Sequence, residues 1–147
     1  MKLLFKCLVV ILILINYQIA FSQTLDDYIK KAESANQSGD LKLAAKLMEE
    51  AVQKFPDNST AHSYLGLYQG IQSGTAENYM EAGRLIGLGY DNLNQAVSLD
   101  PHNPIARFHR GLMGIKVPAF LGKLDEGIQD LEFLLKIDEQ APKKVPS

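Results

Sequence analysis

The sequence predicts an all-α chain built from a repeated helix pair, and three observations carry that expectation. Apolar residues recur at intervals of three and four, as in Leu43, Leu47, Met48 and Val52 and again in Ile86, Tyr90, Leu93 and Val97, which is the period of a helix with one buried face. Small residues stand where two helix backbones would meet. One pattern also occurs twice at a fixed offset: Ala44, Met48, Ala51, Pro56 and Gly66 return 45 positions later as Gly89, Leu93, Ala96, Pro101 and Gly111. Such self-similarity marks an architecture in which each unit buries its apolar face only against its neighbours.

The first 22 residues stand apart from that pattern. Lys2 and Lys6 precede an apolar run from Cys7 to Ile15, polar Asn16 and Gln18 follow, and Ala20-Phe21-Ser22 supplies small residues three positions and one position before Gln23. This is the grammar of a secretory signal peptide cleaved after Ser22. Its continuous apolar run is about half the roughly 20 residues a spanning helix needs, so no membrane attachment is expected after cleavage. Removal takes away the only cysteine, Cys7, so stability in a periplasmic or secreted location must come from helix packing without disulfides. It also takes away two lysines and leaves 13 basic against 17 acidic side chains, with no basic stripe. That balance argues against nucleic acid or an anionic membrane as the partner.

The remaining 23–140 region resembles the tetratricopeptide repeat, a 34-residue unit of two antiparallel helices with small residues at their contact and a proline near the end of the second. The resemblance implies a right-handed α-solenoid of about three helix pairs, at residues 25–58, 59–103 and 104–139, with a flexible tail at 141–147. In the first repeat Tyr28, Ala32 and Ala35 fall on the inner helix and Ala44, Met48 and Ala51 on the outer. Gly39 closes the inner helix, and Asp40 can accept hydrogen bonds from the free N–H groups of the next one. Lys31 and Ala32 stand where the family usually has leucine and glycine, which reads as a polar terminal cap.

The second repeat carries Leu65, Gly66 and Tyr68, and its prolines are 45 residues apart where the family unit predicts 34. Eleven extra residues are about three helical turns, so Leu93 and Ala96 keep their face if the insertion lengthens a helix. A long outer helix is expected from about Ala76 to Leu99, started by Ser73-Gly74-Thr75, weakened by Gly83, Gly87 and Gly89 and open to a kink near Gly87. The third repeat places Ala106, Gly111 and Leu112 on its inner helix, which should end near Lys116 because Pro118 follows. Its outer helix resumes at Gly122, Leu124, Gly127 and Leu131. Both insertions then fall on one edge of the solenoid.

Chemistry is sparse. His62, His102 and His109 lack metal-ligand spacing, no nucleophile motif is present, and Glu49-Glu50 and Asp125-Glu126 lie on faces that water should solvate. The expectation is a non-enzymatic chain with no metal and no cofactor. In the family the inner helices line a concave groove; the matching positions here are Asp26, Ile29, Glu33 and Asn36, then Thr60, Ser63, Leu67 and Ile71, then Ile105, Phe108, Leu112 and Ile115. The groove grades from polar to apolar. Family members that clamp a peptide's terminal carboxylate use lysine, asparagine and arginine at positions that hold Ile29, Glu33, Tyr64, Ile105 and His109 here, so that clamp is missing.

The resemblance therefore implies a scaffold or adaptor that holds an apolar or amphipathic protein segment, through the groove or through the insertion edge with Arg107, Arg110, Pro118 and Phe120. One alternative is a self-associating module, a homo-oligomer formed through the third repeat, whose Phe133, Leu134, Leu135 and Ile137 need a cover. Another is a small-molecule carrier walled by the long helix. Arg107 and Arg110 are three apart on one helix face, where the family has apolar residues. Either that face is open to water or a carboxylate, Asp130 or Asp100, sits opposite.

Overall fold

Side-chain caps decide where the first five helices begin. The computed structural model describes residues 23–140, so the signal peptide expected at 1–22 and the tail at 141–147 lie outside the described residues. Thr24 starts α1 (Leu25–Gln37) through a capping box with Asp27, and Asp40 starts α2 (Leu41–Lys54) by accepting from the Leu43 N–H at 3.0 Å. Asn58, Asn78 and Asn103 do the same for α3 (Ser59–Ser73), α4 (Tyr79–Leu99) and α5 (Pro104–Lys116), the last with proline at its first position. A short 3-10 turn (Ala119–Leu121) leads to α6 (Leu124–Gln140). The described residues form an all-α structure with no strand. Gly39, at φ +83°, makes the turn between α1 and α2, where the expected glycine is required by its backbone conformation.

Two boundaries compare instructively with expectation. Helix α5 does end at Lys116, with Val117 extended before Pro118. The long helix starts three residues later than Ala76, because Asn78 takes the extended geometry of a cap and accepts from the Glu81 N–H at 2.9 Å, whereas the Thr75 hydroxyl is spent on the Gln72 carbonyl. Gly83 and Gly87 do not interrupt it: α4 runs for 21 residues as one helix.

The helices pack as consecutive antiparallel pairs. Between α1 and α2, Tyr28, Ala32, Ala35, Ala44, Met48 and Ala51 form a buried cluster that Leu65 and Tyr68 of α3 complete. Between α3 and α4 the backbones themselves meet: a Cβ on Gly66 would stand 2.6 Å from the Gly89 carbonyl oxygen and 2.7 Å from Leu93 Cγ. The α5–α6 contact is built alike, since a Cβ on Gly127 would lie 3.0 Å from the Gly111 oxygen and 3.0 Å from the Gly114 Cα. Ala44 and Ala96 are fully buried as well, so the small residues picked out by their fixed offset occupy the tight contacts.

Adjoining pairs are joined through α3 and α5 and through Asn103. The amide of Asn103 donates to Ser59 Oγ (2.9 Å) and Thr60 Oγ1 (3.1 Å), while its oxygen caps the Ile105 N–H at 2.9 Å. Ser59 in turn donates to the Ala96 carbonyl at 2.7 Å, so one side chain links α3, α4 and α5. Gly66→Ala should overpack the α3–α4 contact and lower stability by about 1–3 kcal/mol. Gly87→Ala, with nothing near its Cβ, should raise stability by up to about 1 kcal/mol, because alanine favours a helix interior. Urea midpoints of the two variants that move in the same direction would contradict this packing.

Candidate functional site

Helix α3 carries no lysine, arginine, aspartate or glutamate in its 15 residues. Its uncharged surface is the centre of a face that begins on α1 and ends on α5. The link to α1 is Tyr64, whose hydroxyl donates to Glu33 Oε1 at 3.4 Å. The link to α5 is the same ring, which meets the His109 ring edge-on at 4.9 Å between centroids. Along this face Leu67 and Leu112 are half-buried, and Ile71, Ile105, Phe108 and Ile115 are exposed, the last two by 48% and 47%. Ile29 is half-buried and Glu33 is exposed at the α1 end. Asp26 is exposed and Asn36 and Thr60 are half-buried as well, so of the twelve groove positions of the family pattern all but Ser63 reach the surface, with polarity grading towards α1.

Ser63 is the exception and the expectation fails there. It is fully buried beneath the face, because α5 closes over it: its Oγ lies 2.8 Å from His109 Nδ1 and 3.4 Å from the Ile105 carbonyl. A serine and a histidine at that distance could in principle pair as nucleophile and base. Here no substrate atom can reach the hydroxyl, so the bond is structural. Burial pushes the His109 pKa down to about 4, with the bond to Ser63 pulling the other way, and the ring is neutral at pH 7. Burial, reinforced by Glu33, raises the Tyr64 phenol and keeps it a donor. Neither Tyr64 nor His109 stood out beyond marking a missing clamp; their place next to Ser63 and Phe108 in the helical period was the available signal.

Arg107 and Arg110 are also not where a ligand on the insertion edge would find them. Both turn to Asp130 of α6, which is completely buried. Arg110 Nε and Nη2 lie 2.6 and 3.0 Å from the two carboxylate oxygens of Asp130, and its Nη1 reaches Asn94 and Glu126, each at 3.0 Å. Arg107 reaches Asp130 at 2.6 Å and the Pro101 carbonyl at 2.9 Å, with its guanidinium 4.7 Å from the centre of the Phe133 ring. Of the two carboxylates considered, Asp130 is the partner; Asp100 instead accepts from the His102 N–H at 3.0 Å. Pro118 and Phe120 do stand exposed on the turn between α5 and α6, Phe120 by 86%.

A separate cavity of about 330 Å³, lined by Lys42, Gln72, Thr75, Glu77, Asn78, Glu81 and their neighbours, shares no residue with the α1–α3–α5 face. Among the described residues no group of three or more His, Cys, Asp or Glu side chains is placed to hold a metal ion, and no helix is long and apolar enough to cross a membrane. No family model matches the chain, and no curated protein matches it.

Two measurements test this geometry. Asp130→Ala would leave the mostly buried Arg107 without a carboxylate and Arg110 with only the partly exposed Glu126, and should cost about 3–5 kcal/mol. A double-mutant cycle with Arg110→Ala should show strong coupling, and independent effects would contradict the network. His109 takes up its proton near pH 6.5 when unfolded but only near pH 4 when folded, so the unfolded state binds more protons between those values. Stability is then fully present above about pH 6.5 and falls towards pH 4 by up to about 3 kcal/mol, at about 1.4 kcal/mol per unit. His109→Gln should flatten that segment of the stability–pH curve relative to wild type.

Proposed function

We propose that the chain is a right-handed α-solenoid of three tetratricopeptide-like helix pairs that acts as a non-enzymatic adaptor in a periplasmic or secreted location. The observation that carries the reading is the run of partly exposed apolar side chains, Leu67, Ile71, Ile105, Phe108, Leu112 and Ile115, along two neighbouring helices. An isolated exposed isoleucine means little, but a continuous apolar strip marks a place where another surface is buried. Burying a fully exposed side chain of this kind contributes about 1.5–3 kcal/mol, and these are already about half covered, so each adds roughly half of that before the costs of association, enough for a specific complex when several are covered together with the partner's own apolar side chains. The leader pattern at 1–22 supports export, and the pairing of helices by glycine contacts at matching positions supports the repeat assignment.

A second reading has its own observation. On α6, Ile128, Leu135 and Ile137 are exposed by 42%, 64% and 45%, and no further helix among the described residues covers them. This favours self-association through the last pair. Affinity capture from the native exported fraction tests the first reading: the wild-type chain should retain a protein that the Phe108→Asp, Ile115→Asp variant loses, at equal folded stability. Equal retention would remove the face from consideration. Light scattering separates the second reading, since a monomer at high concentration excludes it.

A further inference from the structure

The α1–α3–α5 face is apolar over most of its length, but its α1 end carries the exposed carboxylates Asp26 and Glu33, and Glu33 sits beside an aromatic ring. Glu33 is exposed there, and among the described residues it takes part in no ion pair; those found are Arg84 with Glu81, and Arg107 and Arg110 with Asp130 and Glu126. Lys30 and Lys31 of the same helix do not engage it. A carboxylate can accept about four hydrogen bonds, and Tyr64 supplies one long one at 3.4 Å. The Tyr64 ring is itself held in place, edge-on to His109 at 4.9 Å and 6.2 Å from Tyr68. A fixed aromatic ring beside an underused carboxylate is a receptor for a cation, by ion pairing with one and by cation–π attraction to the other.

Resting on the reading of this face as a binding surface, we propose that its partner is an amphipathic peptide segment that places an arginine or lysine on Glu33 and Tyr64 and lays apolar side chains over Phe108, Leu112 and Ile115. Complementarity of charge at one end and of apolar surface at the other fixes the direction in which the segment lies. Neighbouring helices are about 8–10 Å apart and α3 lies between Glu33 and Phe108, so the basic residue should precede or follow the first apolar anchor by about three to six residues if the segment is extended, or by roughly six to twelve if it is helical. A segment with glutamate or aspartate in that place is rejected by the same carboxylate.

Random dodecapeptides displayed on phage provide the probe, selected on the whole exported chain and in parallel on its Glu33→Gln and Phe108→Asp variants. The expected result is enrichment of arginine or lysine at a constant offset from a pair of apolar residues. A synthetic peptide of that sequence should bind Glu33→Gln about tenfold more weakly, and its own Arg→Gln version should bind both proteins equally weakly. Peptides enriched without a basic preference, or bound equally by wild type and Glu33→Gln yet lost on Phe108→Asp, would overturn this inference and leave the face a binding surface. No enrichment on wild type beyond that on Phe108→Asp would overturn both.

Discussion

Backbone contact between α3 and α4 at Gly66 and Gly89 sets the spacing on which the other arrangements rest. With 2.6 Å between a would-be Cβ on Gly66 and the Gly89 oxygen, the two helices sit as close as helices can, and the same closeness recurs at Gly111, Gly114 and Gly127. Tight pairing brings α3 and α5 within reach of each other. Ser63 can then bond His109, Tyr64 can lie against the same ring, and Ser59 can join α4 to the Asn103 cap of α5. A pair held further apart would lose these cross-links, and the α1–α3–α5 face is the outer surface of the residues they join.

Closeness has a cost in apolar area, and the last pair shows how it is met. Where glycine faces glycine there is little side chain to bury, so α5 and α6 gain less from the hydrophobic effect than α1 and α2, whose contact holds Tyr28, Met48 and five alanines, counting Ala45, in one cluster with α3. Asp130 supplies another hold. Its two oxygens are shared between Arg107 and Arg110, and Asn94 extends the network to α4. Buried ion pairs add little net stability compared with apolar packing, but breaking one is severe, so this arrangement specifies which faces of α5 and α6 meet.

What could be read from the amino-acid order divides along the same line. The small residues at matching offsets were legible because a backbone contact tolerates almost no other side chain, and the end of α5 was legible because Pro118 permits no other outcome. The start of α4 was misplaced by three residues, since Thr75 and Asn78 are both able to cap and only the folded turn shows which is free to do so. The family resemblance assigned Ser63 to the groove, but Ser63 is fully buried: whether a residue at the margin of a stripe is covered depends on the neighbouring helix. Asp130 and Asp100 were equivalent candidates for the arginines until the His102 N–H claimed one of them. The corner formed by Glu33 and Tyr64 joins two helices, and no spacing within either one announces it.

Helix α4 is longer than its partner, at 21 residues against 15, or about 31 Å against about 22 Å. Because the pair is in register from Ser59 and Ala96 to Gly70 and Gly89, the excess projects at one end, where Tyr79 is 97% and Met80 87% exposed. The Asn78 cap and the Arg84–Glu81 pair hold this end mainly by local bonds. One helix thus contains two regimes of hydrogen exchange: amides from Tyr79 to Gly83 can open by fraying alone, whereas those around Leu93 and Ala96 must wait for α3 and α4 to separate. The projecting turns can fluctuate, be trimmed or be extended by whole turns without changing the pair beneath them.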